Sequence, residues 1–377
     1  MTSEAYACEN SDMSTDVHAR EHSNTRTEGT EKRDIRGLTE DELIELCERC
    51  GHRAFRGRQV AAWLWKHRVR SFEEMLNVPK SLRAELSSRF EIAPAAAQDV
   101  QQSADGSIKV AYRLHDGEIV EGVLIPAGER MTACISSQVG CSLRCAFCAT
   151  ARIPMRRNLS AGEIIDQVDD LNRRAVEIGE RPLSNIVYMG MGEPLSNYDE
   201  VVRSMRLLTW ENGFGISAKR ITLSTAGLAP EMKRLADEGL NINLALSLHA
   251  ATDPVRRNLM SSAREYPLEE LADAVKYWQR VHGEKVTFEY LLLAGHNDSD
   301  EAARSLVRFA SNLPCKINII EYNPVVGIPF RPSDRSVTDR FAARLRDAGI
   351  TVTVRHSSGK DIDAACGQLA GRSGNNR

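Results

Sequence analysis

The chain has 377 residues, 42% of them hydrophobic, and a formal net charge of −3 at pH 7. That length holds one large domain plus a small one. No apolar run approaches the ~20 residues of a membrane helix, and the N-terminus lacks the apolar core of a signal peptide. A cytoplasmic protein with no membrane partner is therefore expected, its nine cysteines serving as ligands, catalysts or buried thiols rather than a disulfide framework.

Residues 1–34 carry eight acids against four bases, which leaves the remaining body at +1. Rich in Ser, Thr and Glu and nearly free of aliphatics, they read as a disordered acidic tail. A near-neutral body can still carry a local basic surface, so charge neither supports nor excludes RNA.

Thr39-x-x-Glu42 is a capping box, in which hydroxyl and carboxylate satisfy exposed helix N–H groups. Leu43, Leu46 and Cys47 follow at helical spacing. "FRGRQVAAWLWKH" and "SLRAELSSRF" predict two further short helices, giving a small helical domain over 35–92. Cys47-x-x-Cys50 has no second pair to complete a zinc site and reads as two non-ligand thiols. Residues 93–131 form an extension or linker, where "SIKVAYRLHDGEIVEGVLIP" alternates apolar and polar around Asp116-Gly117 as a hairpin does.

From Thr132 the pattern changes. Strand-like runs at "TACISS", "NIVYMG", "RITLST", "NINLALSL", "VTFEYLLL" and "KINIIEY" alternate with helical stretches, one opened by Ser160-x-x-Glu163 and another led by Pro267. A seventh run, "TVTVRHS", follows. The class is α/β with a parallel sheet over 132–377, either an open (β/α)6 barrel or a doubly wound sheet. In both, ligands sit at the C-terminal ends of the strands.

The loop after the first of these strands, "GCSLRCAFCAT", spaces Cys141, Cys145 and Cys148 as C-x3-C-x2-C and supplies no fourth thiol. Thiolates are soft ligands suited to iron–sulfur clusters, and a four-iron cubane held by three cysteines keeps one iron open to another ligand. A zinc site recruiting His249, or plain buried thiols, would fit the same three residues.

"YMGMGEP" (188–194), "TLSTAG" (222–227), "LSLHA" (246–250), "EYNP" (321–324) and "DIDAACGQLAG" (361–371) accompany that motif. Together they resemble the RlmN/Cfr family of radical S-adenosylmethionine (SAM) RNA adenine methyltransferases over about residues 36–371. The resemblance implies a radical SAM partial (β/α)6 barrel with an N-terminal helical accessory domain that binds RNA. It implies a [4Fe–4S] cluster on Cys141, Cys145 and Cys148, with SAM on its open iron. Gly192, Glu193, Ser224, Ser247, Leu248, His249 and Asn323 would form the SAM pocket, Leu248 through its backbone. Ser224 and Ser247 also fit simple strand ends, and His249 a satisfied core histidine.

The resemblance further implies two SAM molecules per turnover. The Cys366 thiolate takes a methyl group from one SAM. The radical derived from the second SAM converts that group into a methylene radical, which adds to the adenine. Glu121 would remove the ring proton, and Cys134 would release the product by forming a disulfide with Cys366. The implied substrates are an adenosine of 23S rRNA, methylated at C2, and the adenosine beside the tRNA anticodon, with flavodoxin or a similar protein as electron donor. Methylation at C8 is the alternative within the family, and a non-catalytic zinc-stabilised RNA-binding protein the alternative outside it. Arg152, Arg156 and Arg157, just past the cysteines, are candidates for phosphate contacts. Ser358 stands where such chains usually carry Arg.

Overall fold

A computed structural model describes residues 32–179, 181–355 and 357–371. The expected tail lies outside the described residues except at its end. There Arg33–Asp34 pair in parallel with Phe90–Glu91 and belong to the folded body.

Three helices follow: α1 (Glu40–Arg49), α2 (Phe55–Trp65) and α3 (Lys80–Arg89). The capping box forms as expected, with Thr39 N–H donating to Glu42 Oε2 at 2.7 Å and Glu42 N–H to Thr39 Oγ1 at 3.4 Å. Leu43, Leu46 and Cys47 are buried against α2. A Cβ on Gly57 would stand 2.4 Å from Ile44 Cα, so the two backbones touch where only glycine fits.

Next come β1 (Ala96–Gln102), β2 (Ile108–Arg113), β3 (Ile119–Ala127) and β4 (Arg130–Cys134), each antiparallel to the one before. Thereafter strands and helices alternate. The order is α4 (Ala161–Gly179), β5 (Asn185–Tyr188), α5 (Tyr198–Thr209), β6 (Ile221–Thr225), α6 (Ala229–Asp237), β7 (Asn243–Ser247), α7 (Asp253–Leu259) and α8 (Leu268–His282). Last come β8 (Val286–Leu292), α9 (Asp300–Ala310), β9 (Cys315–Glu321), α10 (Arg335–Asp347) and β10 (Val352–Arg355). Strands β4 to β10 are mutually parallel.

All ten strands form one sheet whose spatial order is the sequence order. A doubly wound sheet reverses its order at a switch point, and this one never does. The partial barrel is therefore the correct alternative. The extension is more than a hairpin: β1–β3 continue the barrel sheet beyond β4. Strand β1 escaped the sequence pattern because "AAQDVQQ" lies at an edge with most of its side chains exposed.

The helical part is not insulated from the barrel. The Arg36 guanidinium, 6% exposed, lies between the carboxylates of Asp34 and Asp166, and Asp166 also accepts from Ala95 N–H at 2.8 Å. Apolar side chains of α1–α3 and of the barrel form one continuous core. Among the described residues no helix is long and apolar enough to cross a membrane.

Candidate active site

The parallel strands all deliver their C-terminal ends to one cavity, as chain direction in a parallel sheet requires. After β4 the chain runs through buried Ser136, Ser137 and Gln138 into the cysteine loop. Cys141, Cys145 and Cys148 all border the cavity. Among the described residues no three His, Cys, Asp or Glu side chains are gathered as a ready site for one metal ion. Burial pushes the Cys141 thiol up to about 12, and burial with repulsion from Cys148 and Cys141 pushes Cys145 well above its ordinary value. Three half-buried soft donors on one loop at the cavity suit a cationic multi-iron group, whose charge stabilises thiolates. The donor set therefore fits the cluster expected from the sequence.

Beside the loop, Gly192 adopts φ +97°, and a Cβ there would meet Gln138 Cβ at 2.5 Å. This glycine keeps the turn flush with the cavity wall. Glu193, 4% exposed, accepts from Leu195 N–H at 3.0 Å and Ala226 N–H at 2.7 Å. Burial nevertheless raises its carboxyl to about 7. Ser224 and Ser247, at the ends of β6 and β7, face each other at 3.4 Å on the cavity wall.

His249 also borders the cavity, in a left-handed backbone conformation at φ 54°. Its Nδ1 accepts from Leu291 N–H at 3.1 Å, and burial, with Arg256 adding to it, lowers its pKa to about 3. The ring is therefore neutral, with its proton on Nε2 as the remaining donor.

Two expected SAM contacts stand back from the cavity lining. The Leu248 N–H donates to Glu289 O at 3.0 Å and its carbonyl accepts from Arg256 Nε at 3.3 Å. Asn323 is buried behind Tyr322 and Ser357. Its Nδ2 donates to Ser357 Oγ at 2.8 Å, and its Oδ1 has no hydrogen-bond partner. A buried acceptor left open in this way is suited to a ligand donor.

Cys134 ends β4, and Cys366 lies in the irregular segment after β10. Both border the cavity. Burial pushes Cys134 up to about 12, with Cys366 adding to it, and burial likewise raises Cys366. Arg355 opposes the rise at both sulfurs. Its own pKa is raised, chiefly by Cys366. Glu289 borders the same space, accepts from Asn318 Nδ2 at 2.9 Å, and is pushed by burial to about 7. Sequence reasoning missed Arg355 and Glu289. Their signal was a charge inside an apolar strand, in "TVTVRHS" and "VTFEYLLL".

Glu121 is placed differently from a base facing a substrate. It is 1% exposed and lies off the cavity lining, with Oε2 accepting from the N–H groups of Ala370 at 2.7 Å and Gly371 at 3.2 Å. Lys109 Nζ stands 3.6 Å from Oε1. Of the three candidate phosphate contacts, Arg157 is committed to Asp116 and Glu163, and Arg152 to the carbonyls of Val326 and Gly327. Arg152 and Arg156 are both exposed, and the Arg156 side chain has neither kind of tie among the described residues.

Residues 135–307 match the model of the radical SAM superfamily, and residues 33–92 that of the ribosomal RNA large subunit methyltransferase N-terminal domain. The "Probable dual-specificity RNA methyltransferase RlmN" of Flavobacterium psychrophilum is 47% identical over 91% of this chain and 99% of its own length. The "Dual-specificity RNA methyltransferase RlmN" of Desulfotalea psychrophila is 42% identical over 91% and 96%. Among solved structures, a radical SAM methyltransferase from Sphaerobacter thermophilus superposes with a TM-score of 0.85 at 42% identity, covering 90% of this chain and 100% of that one.

Proposed function

The chain belongs to the RlmN family of dual-specificity RNA methyltransferases within the radical SAM superfamily, and from that premise we propose that it methylates C2 of an adenosine in 23S rRNA, and the adenosine beside the tRNA anticodon, through a methyl group carried on Cys366. One observation supports this most directly. Cys134 and Cys366, far apart in sequence, border the same cavity as the three-cysteine loop. A zinc-stabilised binding protein gives no reason for that convergence.

Cys141, Cys145 and Cys148 would hold the cluster, which when bound would supply the electron for reductive cleavage of SAM. The protein's own groups do the rest. Gly192 and Glu193 hold the methionine end of SAM. Ser224, Ser247 and the His249 Nε2–H complete the pocket, and the Leu248 backbone and Asn323 brace it from behind. Cys366, as thiolate, attacks the methyl carbon of the first SAM, S-adenosylhomocysteine leaves, and the cysteine becomes a methyl thioether; the Arg355 charge favours that thiolate. After the carbon–carbon bond to adenine has formed, the Cys134 thiolate attacks the Cys366 sulfur. The disulfide forms as the bond from the Cys366 sulfur to the methylene carbon breaks, and that carbon takes the electron pair and a proton to become the methyl group of the released base. An external dithiol or equivalent reductant then restores both thiols.

For Glu121 to remove the ring proton, Ala370 and Gly371 must first lift from its carboxylate. Residues 35–92 would add RNA affinity through exposed cations such as Arg58 and Lys66. A flavodoxin-like protein would deliver the electrons, and the adenosine must be extruded from folded RNA to reach the cavity.

The test is anaerobic reaction of cluster-loaded protein with SAM and rRNA or tRNA fragments, followed by nucleoside mass spectrometry. 2-Methyladenosine is expected. 8-Methyladenosine would replace the C2 assignment with C8, and no methyladenosine would reject the proposal.

A further inference from the structure

The segment 359–371, which carries Cys366, is held on both sides of the cysteine, and most of its holders belong to β1–β3 and the turns between them. Ahead of Cys366, the Asp105 carboxylate accepts from Gly359 N–H at 2.8 Å. Asp361 accepts from Ser103 Oγ and from Ala104 N–H at 3.1 Å. Lys109 Nζ reaches the Asp363 carbonyl at 3.5 Å. Behind Cys366, Glu121 accepts from two successive N–H groups, and Lys109 pairs with that same carboxylate. One buried ion pair thus serves both flanks.

The cysteine loop adds the remaining ties. Ala149 N–H donates to Gly367 O at 2.8 Å and Thr150 Oγ to Leu369 O at 2.7 Å. Between the two sets of anchors, Ala364, Ala365 and Cys366 face the cavity. A segment with one short 3-10 turn has little internal structure to fix it, so its outside partners set where the sulfur stands. Asp363 even holds a left-handed conformation at φ 53°, which persists only where surrounding groups enforce it. Three of the anchors are carboxylates accepting N–H groups, the stronger charge-assisted kind.

We propose that β1–β3 is a latch for this segment, with Asp105, Lys109 and Glu121 as positioning residues that fix the Cys366 sulfur at the cavity. The inference rests on Cys366 being the methyl carrier. It gives the extension a task in the reaction and gives Glu121 a task that precedes any proton transfer.

The test uses the full chain with its cluster, under anaerobic conditions, and compares Asp105→Ala/Asp361→Ala, Glu121→Ala and Glu121→Gln. Cys366 alkylation by iodoacetamide is read by peptide mass spectrometry, alongside hydrogen exchange over 359–371. The double variant and Glu121→Ala should each raise the alkylation rate about tenfold and lower exchange protection. Glu121→Gln keeps a carbonyl oxygen for the two N–H groups, so it should retain protection although it could no longer act as a base. In the double variant kcat for RNA methylation should fall, with KM for RNA, iron content and SAM cleavage unchanged. Alkylation and exchange identical to the parent, or a lost latch with kcat intact, would overturn the proposal. Because alkylation and exchange are read without RNA, they decide the latch independently of whether Cys366 carries the methyl group.

Discussion

The cavity draws its five cysteines by two different routes. Cys141, Cys145 and Cys148 come from one short loop, so their spacing alone brings them together. Cys134 and Cys366 meet only because β4 ends where the segment after β10 crosses back over the extension. A local site tolerates change elsewhere so long as its loop survives. A site assembled across the fold depends on every group that holds its remote half. The loop should accordingly fail in one way, and the pair in several distinguishable ways.

The largest effect should come from the loop. Replacing Cys141, Cys145 or Cys148 with Ala should remove most bound iron and abolish SAM cleavage, read as iron content and 5′-deoxyadenosine formation. Full cluster spectra in all three variants would erase the distinction between the two routes.

The pair should split by order of action. If Cys366 carries the methyl group as proposed, Cys366→Ala should give neither product nor adduct while SAM cleavage persists, because the loop is intact. Cys134→Ala should accumulate protein bonded to RNA, seen as a denaturation-resistant, nuclease-sensitive band, because only release has been lost. Equal phenotypes would break the comparison from the other side.

A smaller effect should follow at the wall that both routes share. Gly192→Ala imposes a strained φ and a clash with Gln138, costing about 2 kcal/mol in urea unfolding and weakening SAM binding. Unchanged stability would mean that Gln138 moves aside freely.

The smallest expected effect concerns acid. Burial alone would raise the Asp105 carboxyl, but the Ser107 and Gly359 N–H groups outweigh it and hold the pKa at about 2. A depressed carboxyl contributes its stabilisation above its unfolded value near 4 and loses it as pH falls through about 2. Exchange protection of 359–371, corrected for intrinsic rate, should therefore match at pH 5 and pH 7. A loss at pH 5 would mark the latch as a switch rather than a fixture.

The division between local and assembled features also explains what the sequence could reveal. Capping boxes at Thr39 and Ser160 and the seven barrel strands follow from patterns a few residues long, and each appears where expected. The sheet's sequential order, which decides between two architectures, belongs to no short pattern. Strand β1 was missed because an exposed polar edge lacks the alternation that marks a half-buried strand. Arg355 and Glu289 acquire meaning only once β8 and β10 are seen to end at one cavity. Glu121 resembles an ordinary strand carboxylate until residues 370–371 are found on top of it, and the spacing "LSLHA" cannot tell that Leu248 sits behind the wall while His249 borders it.

The bond from Gly359 to Asp105 joins positions 254 apart in the chain. On the ribosome the cysteine loop and most of the sheet are made well before segment 359–371, and strands that neighbour in sequence can dock one after another. The clasp across the extension must then form late, at the entropic cost of closing a very long loop. A nascent protein thus passes through a stage in which the three-cysteine loop exists but Cys366 has not arrived. In that interval the cavity lacks the wall that residues 364–367 supply, so the three-cysteine loop is more accessible than in the finished fold.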